Sequence, residues 1–209
     1  MADVEKTQRR NPDGQEKSFW QKGFLLYLHD LICMLAGIML VFMLLFRMVI
    51  VDGSSMYPTL WHGDWLLVLS GTFYQEPEYG DIIVVCKESF NDGEAIIKRV
   101  IATEGQKVDI DFEAGIVYVD DAPLQEDYTY TLTNLSEGMV FPQVVDDGCV
   151  FAMGDNRNGS RDSRDPMIGM IDRREILGKA LFLMYPGSSE GNTYAPIDLS
   201  RIGVLNDGR

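Results

Sequence analysis

Sixteen consecutive residues, Leu31 to Phe46, read LICMLAGIMLVFMLLF and carry no charge. Arg47 interrupts the run, and Met48-Val49-Ile50-Val51 then continues it. A helix that crosses a bilayer needs about 20 mainly apolar residues. Leu31–Val51 supplies them, provided that Arg47 extends its charge to the interface. The alternative is a buried core helix, but no polar face recurs here at helical period. The stretch is also longer than the apolar core of a cleaved leader, which is about 7–15 residues, and Val51-Asp52-Gly53-Ser54 has no A-x-A cleavage pattern. The expectation is a tail over residues 1–24 followed by a retained anchor helix over residues 25–50.

Charge sets the expected orientation. Residues 1–30 hold five Lys/Arg and five Asp/Glu, whereas from Val51 onward twelve Lys/Arg face 27 Asp/Glu. After Arg47 the next basic residue is Lys87. Basic residues stay on the cytoplasmic side, so the N-terminus is expected inside and the rest of the chain outside. A net charge of -14 argues against a nucleic-acid partner; it keeps the second part soluble, or less plausibly draws in basic substrates. The hydrophobic fraction of 46% suffices for one packed core beyond the anchor but not for several spans.

Beyond residue 51 the chain reads as β. Apolar segments of strand length recur at Trp65–Leu69, Asp81–Cys86, Ala95–Ile101, Ile116–Val119, Gly148–Met153 and Lys179–Tyr185. Turn formers separate them, among them Glu76-Pro77, Tyr79-Gly80, Asn91-Asp92-Gly93 and Asp146-Asp147-Gly148. Arg173-Arg174-Glu175-Ile176 allows at most one turn of helix. Residues 106–147 are richer in acids and poorer in apolar runs, which suits a small β lobe inserted into a mainly β, antiparallel domain over 51–209.

Three segments can carry chemistry. Gly53-Ser54-Ser55-Met56-Tyr57-Pro58-Thr59-Leu60 follows the anchor directly, so a serine there stands at the membrane surface. Alone, it reads as an ordinary turn. In Ala95–Ile101, strand alternation puts Ile96, Lys98 and Val100 on one face. Lys98 either extends to solvent or stays buried; burial lowers a lysine pKa, by up to about 3–5 units, and so makes it a usable base. Arg99 cannot take that part, because guanidinium stays protonated. Met153–Arg164 packs charges, amides and hydroxyls into one loop, which by itself also suits a solvated turn region.

Only two histidines exist. His29 falls at the inner end of the anchor. His62 lies seven residues from Ser55 in a polar turn and makes a poor Ser-His pair. Two histidines cannot form a His-rich metal site, and no EF-hand spacing occurs. Cys33, Cys86 and Cys149 are too widely spaced for a zinc pattern and read as buried free thiols, although pairing of Cys86 with Cys149 stays open. If a serine is activated, lysine is the best base available.

In this order, behind an N-terminal anchor, these segments resemble the bacterial type I signal peptidases. Ser55-Met56-Tyr57-Pro58-Thr59-Leu60 matches the nucleophile box, Gly80–Val85 resembles the Gly-Asp strand, and Lys98-Arg99-Val100-Ile101 matches the lysine box. Gly154-Asp155-Asn156-Arg157 through Ser160, Asp162, Ser163 and Arg164 matches the last box. Gly178-Lys179-Ala180 and Arg201-Ile202-Gly203 are similar to the family's ending. The resemblance spans most of residues 51–205 and leaves 106–147 unmatched.

The resemblance implies a membrane-bound serine endopeptidase of the bacterial cell membrane that removes signal peptides through an acyl-enzyme. Ser55 is the implied nucleophile and Lys98 its base. Ser160 is implied to hydrogen-bond the Lys98 amine, Asp162 and Arg164 to pair, and Asp155 to support the loop. The Ser55 backbone N–H is the implied oxyanion donor. Some relatives add a serine two residues earlier, where this chain has Gly53. After the lysine box, many relatives read Gly-Leu-Pro-Gly-Asp where this chain has Ala102-Thr103-Glu104-Gly105-Gln106. The implied partners are secretory preproteins with small residues one and three positions before the cut, and the lipid bilayer; no cofactor is implied. Two other readings stay open: a self-cleaving repressor-type Ser-Lys peptidase, which needs a helix-turn-helix, and a non-enzymatic anchored β binding module.

Overall fold

A computed structural model describes residues 12–90, 93–187 and 197–205. The first eleven residues of the expected tail and the Asn91-Asp92 turn lie outside the described residues. The chain divides into two compact units, one up to Leu44 and one from Leu45 onward.

The first unit is helix α1, Pro12–Leu45. Its part from Gly23 to Leu45 is 23 residues, long and apolar enough to cross a bilayer. At about 1.5 Å per residue that stretch spans roughly 34 Å, against a hydrocarbon core of about 30 Å. Between Gly23 and Leu44 every side chain is exposed except the partly buried Leu31. A helical stretch that is apolar on all sides and exposed over nearly its whole length suits lipid as its solvent.

The expected anchor, 25–50, ends too late by five residues. Phe46–Ile50 is strand β1, not helix. Arg47 therefore pairs across a sheet with Val68 and does not reach from a helix to an interface. A continuous apolar run gives no periodicity to separate helix from strand. β-branched Val49 and Ile50, and an available partner strand, decide for β.

The second unit is built from strands. After β1 come β2 (Trp65–Ser70), β3 (Ile82–Cys86), β4 (Ala95–Thr103), β5 (Lys107–Asp111) and β6 (Ile116–Val119). They are followed by β7 (Ala122–Pro123), β8 (Gln143–Val144), β9 (Cys149–Met153), β10 (Ile171–Asp172), β11 (Ile176–Tyr185) and β12 (Gly203–Val204). The large sheet runs β1-β2-β11-β3-β4-β9-β10, with β12 on β11; the small sheet runs β7-β6-β5-β8. Every pairing is antiparallel. The small sheet occupies residues 107–144, the inserted lobe. The single helical turn near residue 173 is Arg173–Glu175, closed by an Asp172–Glu175 capping box.

The centre of the large sheet is buried on both faces. Ile82 and Val84 join Met56, Leu60, Leu66 and Val68 in one core; Ile83 and Val85 join Val100, Val150, Ala152 and Ile168 in another. A third core, with Ile101, Phe151 and Met153, binds the lobe through Val108, Ile110, Val117 and Val119. Each such side chain contributes about 1.5–3 kcal/mol on burial. β4 lies between β3 and β9, so any polar side chain it carries is drawn into the interior.

Candidate active site

The turn bearing Ser55 is held at both ends. On one side Val51 N–H donates to Asp64 O (2.9 Å) and Gly63 N–H to Val51 O (2.8 Å). On the other, Met56 and Leu60 are sunk in the core. Between them the backbone reverses at Gly53, whose φ of +93° is a conformation that glycine adopts without strain. A Cβ at Gly53 would meet nothing within 4 Å, so the requirement there is for backbone freedom, not for space.

Lys98 enters from β4, opposite Ile83. It is 3% exposed, and its Nζ donates to Ser55 Oγ at 2.9 Å and to Ile97 O at 3.0 Å. Burial lowers its pKa to about 8, against the pull of Asp162, Glu137 and Asp155, which favour the charged form. Roughly one molecule in ten then carries a neutral amine at pH 7. A neutral amine at this distance can accept the Ser55 proton.

The loop after β9 closes the site. Asn156 N–H donates to Ser55 O (3.0 Å), and Asn156 Nδ2 to Ser54 O (3.2 Å). Asp155 is buried and takes a two-pronged bond from Arg99 (Nε 2.8 Å, Nη2 2.7 Å) together with a short one from Thr59 Oγ1 (2.5 Å). Asp162 and Arg164 form a fully buried two-pronged pair at 2.8 Å, and Asp162 also accepts Gly154 N–H at 3.0 Å. Asp162 and Arg164 are thus paired within the loop, while Asp155 is held by Arg99 and Thr59. Ser160 is buried beside Gly154, where an added Cβ would lie 2.2 Å from Ser160 Oγ and 2.5 Å from Ser55 O. Ser160 Oγ donates to Arg161 O at 3.4 Å. Among the described residues the hydrogen bonds of Lys98 Nζ run to Ser55 and Ile97.

Several contributors escape a reading of the motifs. Arg99, dismissed as a base, is the tether of Asp155, and it also bonds Gly80 O (2.9 Å) and lies 4.1 Å from the Tyr128 ring. The lobe supplies the rest. Glu126 pairs with buried Arg157, and Leu135 O accepts from Arg164 at 2.8 Å. Glu137 Oε2 accepts Asp162 N–H at 3.2 Å, while its Oε1 lies 3.5 Å from Arg164. Burial, and then the charge of Asp162, push the Glu137 carboxyl up to about 7, with Arg164 acting the other way. These contacts span 19 residues or more of sequence and leave no local pattern; only the buried-type arginines of the last box hint that acids must be found elsewhere.

His62 does not face Ser55. Its Nδ1 lies 3.2 Å from Gly53 N and 3.1 Å from exposed Asp52 Oδ1. Cys33, Cys86 and Cys149 are free thiols, so the Cys86–Cys149 pairing is absent. Among the described residues no group of His, Cys, Asp and Glu is arranged to hold a metal ion.

A buried lysine hydrogen-bonded to a serine is an arrangement in which an amine can act as base toward a hydroxyl. The comparisons make the family specific. The model of the family described as "Signal peptidase, peptidase S26" matches residues 25–185. The chain is 41% identical over 149 residues to "Probable signal peptidase I-1" of Synechocystis sp., covering 68% of this chain and 72% of that protein. It is 30% identical over 190 residues to "Signal peptidase I" of Bacillus amyloliquefaciens, covering 86% of this chain and 92% of that protein. A crystal structure of a signal peptidase I from Enterococcus faecalis V583 aligns with a TM-score of 0.40 at 26% identity, covering 50% of this chain and 96% of that one. The chain belongs to the signal peptidase family, peptidase S26.

Proposed function

We propose that this signal peptidase, a serine endopeptidase, cuts preproteins with Ser55 as nucleophile and Lys98 as general base. The observation that carries the reading is the 2.9 Å contact between Ser55 Oγ and the amine of a lysine that burial has brought down to about 8. Ser55 Oγ attacks the carbonyl carbon of the scissile bond while neutral Lys98 takes its proton. The Ser55 backbone N–H stabilises the oxyanion; one such donor is worth about 2.7–4 kcal/mol. Collapse of the tetrahedral intermediate breaks the C–N bond, and Lys98 returns the proton to the leaving amine. Lys98 then deprotonates a water molecule that hydrolyses the acyl ester and restores Ser55.

In this reading the Asp162–Arg164 pair, Asp155 and Ser160 act through the loop. They keep Gly154 and Asn156 against the Ser55 carbonyl. The cleft beside Lys98 has a volume of about 280 Å³ and is lined by residues 49–53 and 94–98. Two extended segments flank it, which suits a substrate bound as an added strand, with small side chains one and three positions before the cut. Gly23–Leu45 anchors the enzyme in the bilayer, with the tail cytoplasmic and the catalytic unit, from strand β1 onward, outside, where exported chains emerge.

The test is cleavage of a preprotein by the full chain in detergent, with the products identified by mass. Cleavage is expected to vanish in Ser55→Ala and persist in Ser54→Ala. Undiminished cleavage by Ser55→Ala would remove the assignment.

A further inference from the structure

The turn that carries Ser55 separates two cavities. One holds Lys98. The other, of about 490 Å³, borders the backbone of Gly53 and Ser54 and is walled by Tyr57, Trp61, Tyr130, His62 and Asn156. No step of the reaction above uses it.

Its aromatic wall is built, not incidental. The Tyr57 ring meets the Tyr130 ring edge-on at 4.8 Å and stacks near Trp61 at 6.2 Å. Trp61 Nε1 donates to Pro58 O at 3.0 Å, and the Arg201 guanidinium lies 3.9 Å over its ring. Arg201 is itself held by buried Asp64 at 2.7 and 3.0 Å. Tyr130 comes from the lobe, and its N–H donates to Asp155 O at 3.0 Å. The Tyr130 backbone is thus tied to the same loop that bonds Ser55 through Asn156. The lining contains no carboxylate.

A polypeptide crossing Ser55 must continue past it. An extended chain advances about 3.3 Å per residue, so residues just beyond the scissile bond come within reach of this second cavity. We propose that the cavity walled by Tyr57, Trp61 and Tyr130 is a subsite for the leaving half of the substrate. It takes an aromatic or large apolar side chain within three residues after the cut. Preformed rings favour such a side chain because they are already ordered and stack at little entropic cost. The inference rests on the assignment of the Lys98 cleft to the half before the cut.

The test uses soluble peptides identical up to the cut, with Phe or Gly at the first, second or third position after it, and the full chain in detergent. At one position the Phe peptide is expected to have a kcat/KM about tenfold above its Gly partner, mainly through KM. That ratio is expected to fall to about one in Trp61→Ala and in Tyr130→Ala. Because each ratio compares two substrates on one enzyme preparation, loss of folded protein cancels. Equal rates at all three positions in the wild type, or a ratio that survives both substitutions, would overturn the inference while leaving the Ser55–Lys98 assignment intact. An effect of Trp61→Ala confined to substrates in lipid vesicles would also overturn it, making the surface a lipid contact. No cleavage of any peptide would overturn the catalytic reading as well.

Discussion

The main-chain N–H of Asn156 donates to the carbonyl oxygen of Ser55 at 3.0 Å, and the Asn156 side chain holds Ser54 in the same way, across 102 residues of sequence. Ser55 is therefore positioned by the loop after β9 as much as by its own turn. That loop is in turn shaped by buried ion pairs and by the lobe.

Gly154 is the closest point of approach. A methyl group there overlaps both Ser160 and the Ser55 carbonyl, so Gly154→Ala forces the two apart. The expected outcome is a fall of at least about 10²-fold in kcat, as small misplacements in active sites produce, with a loss of about 1–3 kcal/mol in stability from overpacking. Preprotein cleavage and thermal unfolding of the same samples check it.

Cleavage should rise with pH. In the proposed mechanism Lys98 acts in its neutral form, and burial lowers its pKa to about 8. Below that value log kcat/KM should climb about one unit per pH unit, and above it the rate should level off. A profile already flat from pH 6 to 9 would speak against an amine base of this pKa.

Glu137 should tune that profile. Its negative charge favours protonated Lys98. Glu137→Gln keeps an acceptor for the Asp162 N–H and removes the charge. The midpoint of the kcat/KM profile should therefore move to lower pH. A midpoint that stays or moves upward would show that the lobe carboxylate does not reach the base electrostatically.

The Asp162–Arg164 pair should matter for stability before chemistry. Both side chains are fully buried, and removal of one partner strands the other's charge in the interior. Arg164→Met should cost about 3–5 kcal/mol, read by denaturant unfolding of the full chain in detergent. A loss under about 1 kcal/mol would show that the pair is not a structural brace.

Strand-length apolar runs and turn residues made β2, β3, β4, β6, β9 and β11 legible in the sequence, within one to three residues at their ends. β1 was hidden inside the apolar run, where nothing local distinguishes a strand from the continuing helix until β2 is available to pair. The short strands β7, β8, β10 and β12 carry too few residues for a period to show. In the site, Ser55 and Lys98 were singled out together only through the resemblance of two motifs; taken alone, one segment reads as an ordinary turn and the other as a strand that leaves the burial of its lysine open. Glu137, Glu126 and Leu135 were not, since their partners lie 25, 31 and 29 residues away along the chain.

The central claim is tested most directly by measuring preprotein cleavage by Lys98→Met at pH 8. Methionine is close in volume to the lysine stem and fits an apolar strand interior, so the fold is expected to survive. A loss of on the order of 10⁴-fold or more relative to the wild type is expected, comparable to the loss in Ser55→Ala. Cleavage by folded Lys98→Met within about tenfold of the wild type would contradict it.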